Sequence, residues 1–465
     1  MLSRRAFLST ASASVAFVAL PRASTAQEIR LTPAAATVPV MPGQSETKVW
    51  AYNNSLPGPV LRVKQTERLR VRLDNKLMQD TTVHWHGIRL PNAMDGVPGL
   101  TQKPVKPGAS FTYDFTCQDA GTFWYHPHAG NPEQVGRGLY GLLIVDEPNP
   151  PPVDRDIAWV LSDLRLDKDM QITSDFRHPM DLTHAGRLGN VALNNGRLVQ
   201  PFSVTSGERI RLRLVNTANA RIFDLRFDGH APWLIALDGH PVPPRQLAAD
   251  GRVILGPGMR ADLIIDATAA PGTRATVFDR DMQGREHRLT DLAYGDAPAQ
   301  RKDRPAVAML KANPVAEPDL TRAERLPLVL GGGMGVPSSM QVDGGKKMDM
   351  RDAFQKHQIA WSLNGQAMAD HSDHLGHNTL FDLKLGRSYI FEVSNETSWP
   401  HPIHLHGHVF RLLDLPDAPF ADTALLQPGE KTRLALLADN KGHWMLHCHI
   451  LEHQVAGMMA TVKVG

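Results

Sequence analysis

Three segments of the chain carry one local pattern, and that recurrence restricts the fold more than any other feature. In each, apolar residues alternate and an asparagine closes the run: Leu69, Val71 and Leu73 to Asn75; Ile210, Leu212 and Leu214 to Asn216; Tyr389, Phe391 and Val393 to Asn395. Period-two alternation sends one face of a strand into a core and the other outward. A Pro-Gly pair follows each asparagine, with Gly108, Gly258 and Gly429 lying 33, 42 and 34 residues further on. Two landmarks in fixed order, three times over, predict three copies of one all-β unit. Units of this size, with alternating strands and frequent turns, fit Greek-key β-sandwich domains. The 37 glycines and 35 prolines are spread along all 465 residues, as many short strands require, and 42% hydrophobic residues exclude a disordered chain.

Domain boundaries follow from the linkers. Glu147-Pro148-Asn149-Pro150-Pro151-Pro152 is proline-rich, and the stretch 301–327 is charged with scattered prolines. The expected domains are 27–148, 149–305 and 306–465. Residues 1–26 read as a twin-arginine export signal: Ser3-Arg4-Arg5-Ala6-Phe7-Leu8, a short apolar run to Leu20, then Ala23-Ser24-Thr25-Ala26. That apolar run is far below the roughly 20 residues that span a bilayer, so no stable membrane anchor is expected. The expected location is periplasmic or otherwise exported, with the Tat export machinery as a transient partner. Lys and Arg number 50 against 48 Asp and Glu, with no basic run, which argues against nucleic acid as a partner. Only two cysteines are present, Cys117 and Cys448, too few for a disulfide framework.

The histidines fall on the repeat. His84 and His86 lie 9 and 11 residues after Asn75, and His404 and His406 lie 9 and 11 after Asn395. His126 and His128 lie 18 and 20 residues after Gly108, and His447 and His449 lie 18 and 20 after Gly429. Period two sends both imidazoles of a His-x-His pair to one face, roughly 7 Å apart. One such pair alone is ordinarily solvated or satisfied in a core, but four pairs in register can converge between two related domains. In the middle unit the same positions hold Leu225, Phe227, Thr276 and Phe278, none of which binds a transition metal well, so that domain reads as a spacer. Only the third unit adds His401, Cys448, His453 and Met458, whose first-unit counterparts are Thr81, Pro127, Pro132 and Arg137. Two imidazoles, a thiolate and a weak thioether make a blue-copper electron-transfer site. Cys117 has no such neighbours and reads as an inert buried thiol.

These motifs resemble the three-domain multicopper oxidases, both the laccase-like group and the bacterial cuprous oxidases, over nearly the whole chain. The resemblance implies cupredoxin-like domains and four copper ions. By position, His401, Cys448, His453 and Met458 match the type 1 site, His84 and His404 the type 2 site, and His86, His126, His128, His406, His447 and His449 the type 3 pair. It also implies one-electron oxidation of a small reducing substrate, coupled to four-electron reduction of dioxygen to water. That substrate would be a phenol, an aryl amine, Cu(I) or another metal ion, meeting the type 1 site through an exposed edge of His401 or His453.

Cys448, through its chain neighbours, would carry electrons inward, and Asp95, in Met94-Asp95-Gly96, matches an acidic residue that helps move protons to reduced oxygen. Gln454 departs from the family, several bacterial members of which carry a glutamate there. Met334, Met340, Met348, Met350, Met368, His371, His374 and His377 form a loose methionine and histidine stretch. In cuprous oxidases such an insert collects Cu(I), which keeps a metallo-oxidase dedicated to copper tolerance as the alternative; core filling is the other reading of the methionines. A copper-free structural exported homologue is the remote alternative, and it would need none of these ligands.

Overall fold

The computed structural model describes residues 28–248, 251–299, 303–335, 338–368 and 379–465. The export signal at 1–26 and His371, His374 and His377 lie outside the described residues.

The all-β expectation holds, and the three units share one topology. Each asparagine-closed strand pairs antiparallel with a later strand and parallel with the first strand of its unit. Thus Arg68–Asp74 lies between Ser110–Thr116 and Ile29–Leu31. Arg209–Asn216 lies between Arg260–Asp266 and Arg155–Leu164. Ser388–Asn395 lies between Lys431–Leu437 and Glu324–Gly332. A second sheet faces each of these and contains one repeated antiparallel pair: His84–His86 with Gly121–His126, Phe223–Phe227 with Arg274–Arg280, and His401–Leu405 with Gly442–Cys448. These are cupredoxin-like sandwiches, and the alternating apolar residues of each strand fill the space between the two sheets.

Hydrogen bonding explains why asparagine and glycine recur together. The backbone N–H groups of Gly108, Gly258 and Gly429 donate to the carbonyls of Asn75, Asn216 and Asn395, each at 2.9 Å. All three glycines hold φ between +75° and +88°, a region closed to most side chains. Each asparagine side chain then ties its strand end to two neighbouring segments. Nδ2 of Asn75 donates to the carbonyls of Gln79 and Val105, and Oδ1 accepts from Leu77 N. Asn216 does the same with Arg221, Leu255 and Ala218, and Asn395 with Trp399, Leu426 and Thr397.

The middle domain is joined to the first by buried charge. The Arg211 guanidinium bridges Glu147 and Asp262 at 2.6 Å each, and Arg213 binds Asp156 at 2.7 Å while donating to Thr122 Oγ1. Breaking such a pair leaves an uncompensated buried charge, so these residues hold the domains in one relative position.

Asn395→Ala removes every side-chain bond of one clamp, keeps the backbone bond from Gly429, and leaves the Thr397 N–H without its acceptor. The expected loss is about 2–4 kcal/mol in chemical denaturation, from several modest bonds and one stranded donor; a loss below about 0.5 kcal/mol would mean that the clamp follows the fold without supporting it.

Candidate metal centres

Strand alternation divides the third domain's ligands between two places. In the strand His401–Leu405, residues 401, 403 and 405 face the interior of the third domain, where Ile403 and Leu405 lie in the core. His404 and His406 therefore face outward, toward the first domain. On the adjoining strand Cys448 turns inward with Leu446, and His447 and His449 turn outward. The first domain mirrors this: Trp85 packs inward on Tyr113 and Phe115, which sends His84 and His86 to the opposite face. The two pairs of strands use one register, His84 opposite His126 and His404 opposite His447.

The outward histidines of both domains meet in one buried chamber. Donor atoms within 4.8 Å of one another form three groups: His84, His86 and His404; His86, His126 and His449; His128, His406 and His447. Rings from opposite domains stack across the interface, His84 on His406 and His86 on His404, both with centroids 3.8 Å apart.

Inside the third domain, Cys448 Sγ lies 3.4 Å from His401 Nδ1 and 3.7 Å from His453 Nδ1, and those two nitrogens are 3.1 Å apart. Metal bonds of about 2.0–2.3 Å meeting at angles of about 100–120° would give separations of this size. Met458 is fully buried, accepts from Cys448 N through its carbonyl, and donates its N–H to His453. The ten histidines and Cys448 are thus brought together in two centres.

The outer nitrogens show that the inner ones are reserved for something else. Nδ1 of His84, His126, His404 and His447 faces the carbonyls of Asp95, Pro127, Asp422 and Cys448, and Nδ1 of His406 faces Asp95 Oδ2 at 2.9 Å. Nε2 of His84, His126, His128 and His404, Nδ1 of His86 and both nitrogens of His449 have no hydrogen-bond partner although buried. Buried polar atoms rarely stay unpaired, and convergent bare lone pairs repel one another. A set of metal ions in the chamber would satisfy one such nitrogen on each ring.

Electrostatics agrees. Burial pushes His86, His126, His128, His406, His447 and His449 well below the ordinary imidazole value, so the rings are neutral, the form that binds metal. Burial also pushes the Cys448 thiol up, so its ionisation calls for a bound cation.

Three features differ from the sequence expectation or went unread in it. His401 and His453 are both fully buried, so neither offers an exposed edge; His453 Nε2 donates to the carbonyl of His184, in the middle domain, at 2.6 Å. The middle domain is not a spacer either: a Cβ on Gly258 would lie 2.9 Å from His86 Cε1 and 3.0 Å from His449 Cδ2, whereas Gly108 and Gly429 face open space. Its Pro-Gly turn therefore rests on the histidine chamber.

The unread residue is Asp422, the structural counterpart of Asp95. Asp95 accepts from His84 through its carbonyl and from His406 through its carboxylate, and Asp422 does the same for His404 and, at 3.1 Å, for His86. Burial alone would raise the Asp422 carboxyl, but Arg260 and the histidines beside it hold it well below the usual range. Asp95 lies 20 residues after Asn75 and Asp422 lies 27 after Asn395, so register counting passes over the pair. Gln454, where a carboxyl was wanted, accepts instead from Asn131 Nδ2 at 3.1 Å.

Three cupredoxin domains, with one thiolate centre inside the last and one histidine chamber between the outer two, define an electron-transferring copper protein. Multicopper oxidase family models match residues 34–150, 165–293 and 343–465. The multicopper oxidase MmcO of Mycobacterium tuberculosis is 30% identical over 97% of this chain and 89% of its own, and copper resistance protein A of Escherichia coli is 26% identical over 90% of each. The crystal structure of a multi-copper oxidase from Pseudomonas thermotolerans superimposes with a TM-score of 0.81 at 37% identity, over 94% of this chain and 99% of that one. The chain belongs to the multicopper oxidases, and it is an oxidase that uses oxygen.

One consequence concerns the metal-free protein. Burial pushes His453 down to about 3 and His240 down to about 4, from an ordinary value of 6.5. Unfolded, these rings take protons that the folded protein refuses, so folded stability is intact above about pH 6.5 and falls as pH drops, by about 1.4 kcal/mol per unit for each such ring. The denaturation midpoint of chelator-treated protein is expected to fall steeply between about pH 6.5 and 5. A midpoint that stays level across that window would contradict the burial described.

Proposed function

We propose that the chain holds four copper ions, one of type 1, one of type 2 and two of type 3, and couples one-electron oxidation of a small reducing substrate to four-electron reduction of dioxygen to water. One observation carries this reading: six buried imidazoles from two domains, His84, His86, His126, His128, His404 and His449, have partnerless nitrogens and converge on one chamber beside a thiolate centre. His401, Cys448, His453 and Met458 would hold the type 1 ion and His84 and His404 the type 2 ion. His86, His126 and His449 would hold one type 3 ion, and His128, His406 and His447 the other. Bound copper supplies one-electron redox chemistry, which zinc lacks.

The chain's own residues do the rest. Cys448 sits between His447 and His449, so the two centres are a few covalent bonds apart. Neutral, buried rings and a closed chamber keep bulk water away from reduced oxygen. Asp95, on both His84 and His406, is the carboxylate placed to pass protons to it, and the Gln454 amide, tied to Asn131, cannot share that task. Export through the twin-arginine route, to the periplasm or beyond, belongs to the same reading, because that route carries proteins already folded.

Phenols, aryl amines and metal ions are the substrate classes. A cuprous-ion oxidase dedicated to copper tolerance is the alternative, supported by similarity to a relative named for copper resistance. The methionine stretch gives it less support than its composition suggests. Met340, Met348 and Met350 pack with Ala353 and Ile359, and Met368 packs with Met445 and Met459, while Met334 is exposed.

The purified protein is expected to be blue with about four coppers per chain, and Cys448→Ser to lose the colour and nearly all turnover, about a thousandfold; a colourless, zinc-filled wild type would rule the reading out. For substrate class, Met334→Ala should lower turnover on Cu(I) and spare phenols if the exposed thioether receives the metal. Equal turnover on both by variant and wild type would remove Met334 from substrate binding.

A further inference from the structure

We infer that Arg260, in the domain without copper ligands, is a positioning residue of the histidine chamber: it clamps Asp422 so that His86 is held with its ring reversed relative to its neighbours. This rests on the reading of the chamber as a copper cluster.

The reversal is a matter of atoms. His84, His126, His404, His406 and His447 turn Nδ1 outward to an oxygen. His86 alone of these rings turns Nε2 outward, to Asp422 Oδ1 at 3.1 Å with Thr423 Oγ1 at 3.3 Å, and leaves Nδ1 bare toward His126 and His449. A carboxylate can only accept, so Asp422 fixes the hydrogen of His86 on Nε2 and the lone pair on Nδ1.

Arg260 in turn fixes Asp422. Its guanidinium has five N–H donors, and the fold supplies five acceptors: Nε to Thr122 O, Nη1 to Gly258 O and Asp422 Oδ1, and Nη2 to Asp238 O and Asp422 Oδ2. The fork to Asp422 measures 2.8 and 2.7 Å, a geometry that lysine or an amide cannot reproduce. A second buried carboxylate, Asp238, accepts from the backbone N–H groups of Asp422, Thr423 and Arg260. Arg260 is the cation between the two carboxylates, and without it they would face each other in a fully buried site.

Gly87 explains how the guanidinium gets so close. A Cβ there would lie 2.3 Å from Arg260 Nη2 and 2.6 Å from Asp422 Oδ2, so the residue after His86 has to be glycine. The clamp therefore gathers all three domains at one point: Thr122 and His86 from the first, Arg260 and Asp238 from the middle, Asp422 and His404 from the third.

A bond that only joined domains would affect stability alone, whereas a positioning bond acts on the metals of the chamber and leaves the thiolate centre as it was. The test uses full-length wild type, Arg260→Gln and Arg260→Lys, loaded with copper in parallel. For Arg260→Gln the blue absorbance per chain should stay at the wild-type level. The chelator concentration that strips the remaining copper should fall at least about tenfold, and Arg260→Lys should recover part of the loss.

Arg260→Gln protein that keeps its full copper with wild-type resistance to chelator would overturn the inference, as would loss of the blue band in step with the other coppers. Should that variant not fold, Asp422→Asn, which keeps size and removes the charge, is expected to show the same selective loss, and wild-type retention by it would equally overturn the inference. A wild type with no copper beyond the blue centre would overturn the cluster reading itself, a failure visible before any variant is made.

Discussion

The whole arrangement depends on lone pairs that face one another. Buried, uncharged imidazoles from two domains present bare nitrogens to a common space, and two neutral lone pairs at 3.0 Å, as between His406 Nε2 and His447 Nε2, repel unless a cation lies between them. Everything around the chamber works to keep that geometry. The outward nitrogens of His84, His86, His126, His404, His406 and His447 are engaged by backbone carbonyls or by Asp95 and Asp422, so those rings can neither tumble nor exchange their donor atoms. Burial keeps the rings unprotonated, and packing between the outer domains keeps them opposed.

Strand alternation is the simplest cause behind this. One residue step along 447–449 passes from the chamber to the interior of the third domain and back, so two chemically different centres sit back to back on one strand. Cys448 can be a soft ligand in an apolar core while its neighbours serve an interdomain site. A shift of one residue in the pairing with His401–Leu405 would exchange the two sets and abolish both centres.

Much of this was legible in the sequence because it is local and repeated. Asn75, Asn216 and Asn395 announce themselves three times because each makes the same clamp, and the His-x-His pairs are found by counting from them. What could not be read is what joins distant segments. Asp422 mirrors Asp95 across the chamber, but the loop before it is longer by seven residues, and counting fails. Arg260 looks like any strand arginine until Gly87 and Asp422 are placed beside it. The spacer reading of the middle domain failed for a related reason: absence of ligands in a domain says nothing about what its turns press against. The methionines from Met340 to Met368 were ambiguous because composition cannot distinguish a soft-metal surface from side chains buried against one another.

The hydrogen bond from His453 to the carbonyl of His184 changes how the protein can be approached from outside. A donor molecule delivering charge by way of that ring must do so through a peptide group of another domain, since no imidazole edge is open to touch. Tunnelling weakens steeply with every added ångström, so for a donor using that route the run of backbone around His184 would set the distance to the ring. Changes in that short segment would act at once on how near a donor comes and on the ring that takes its charge.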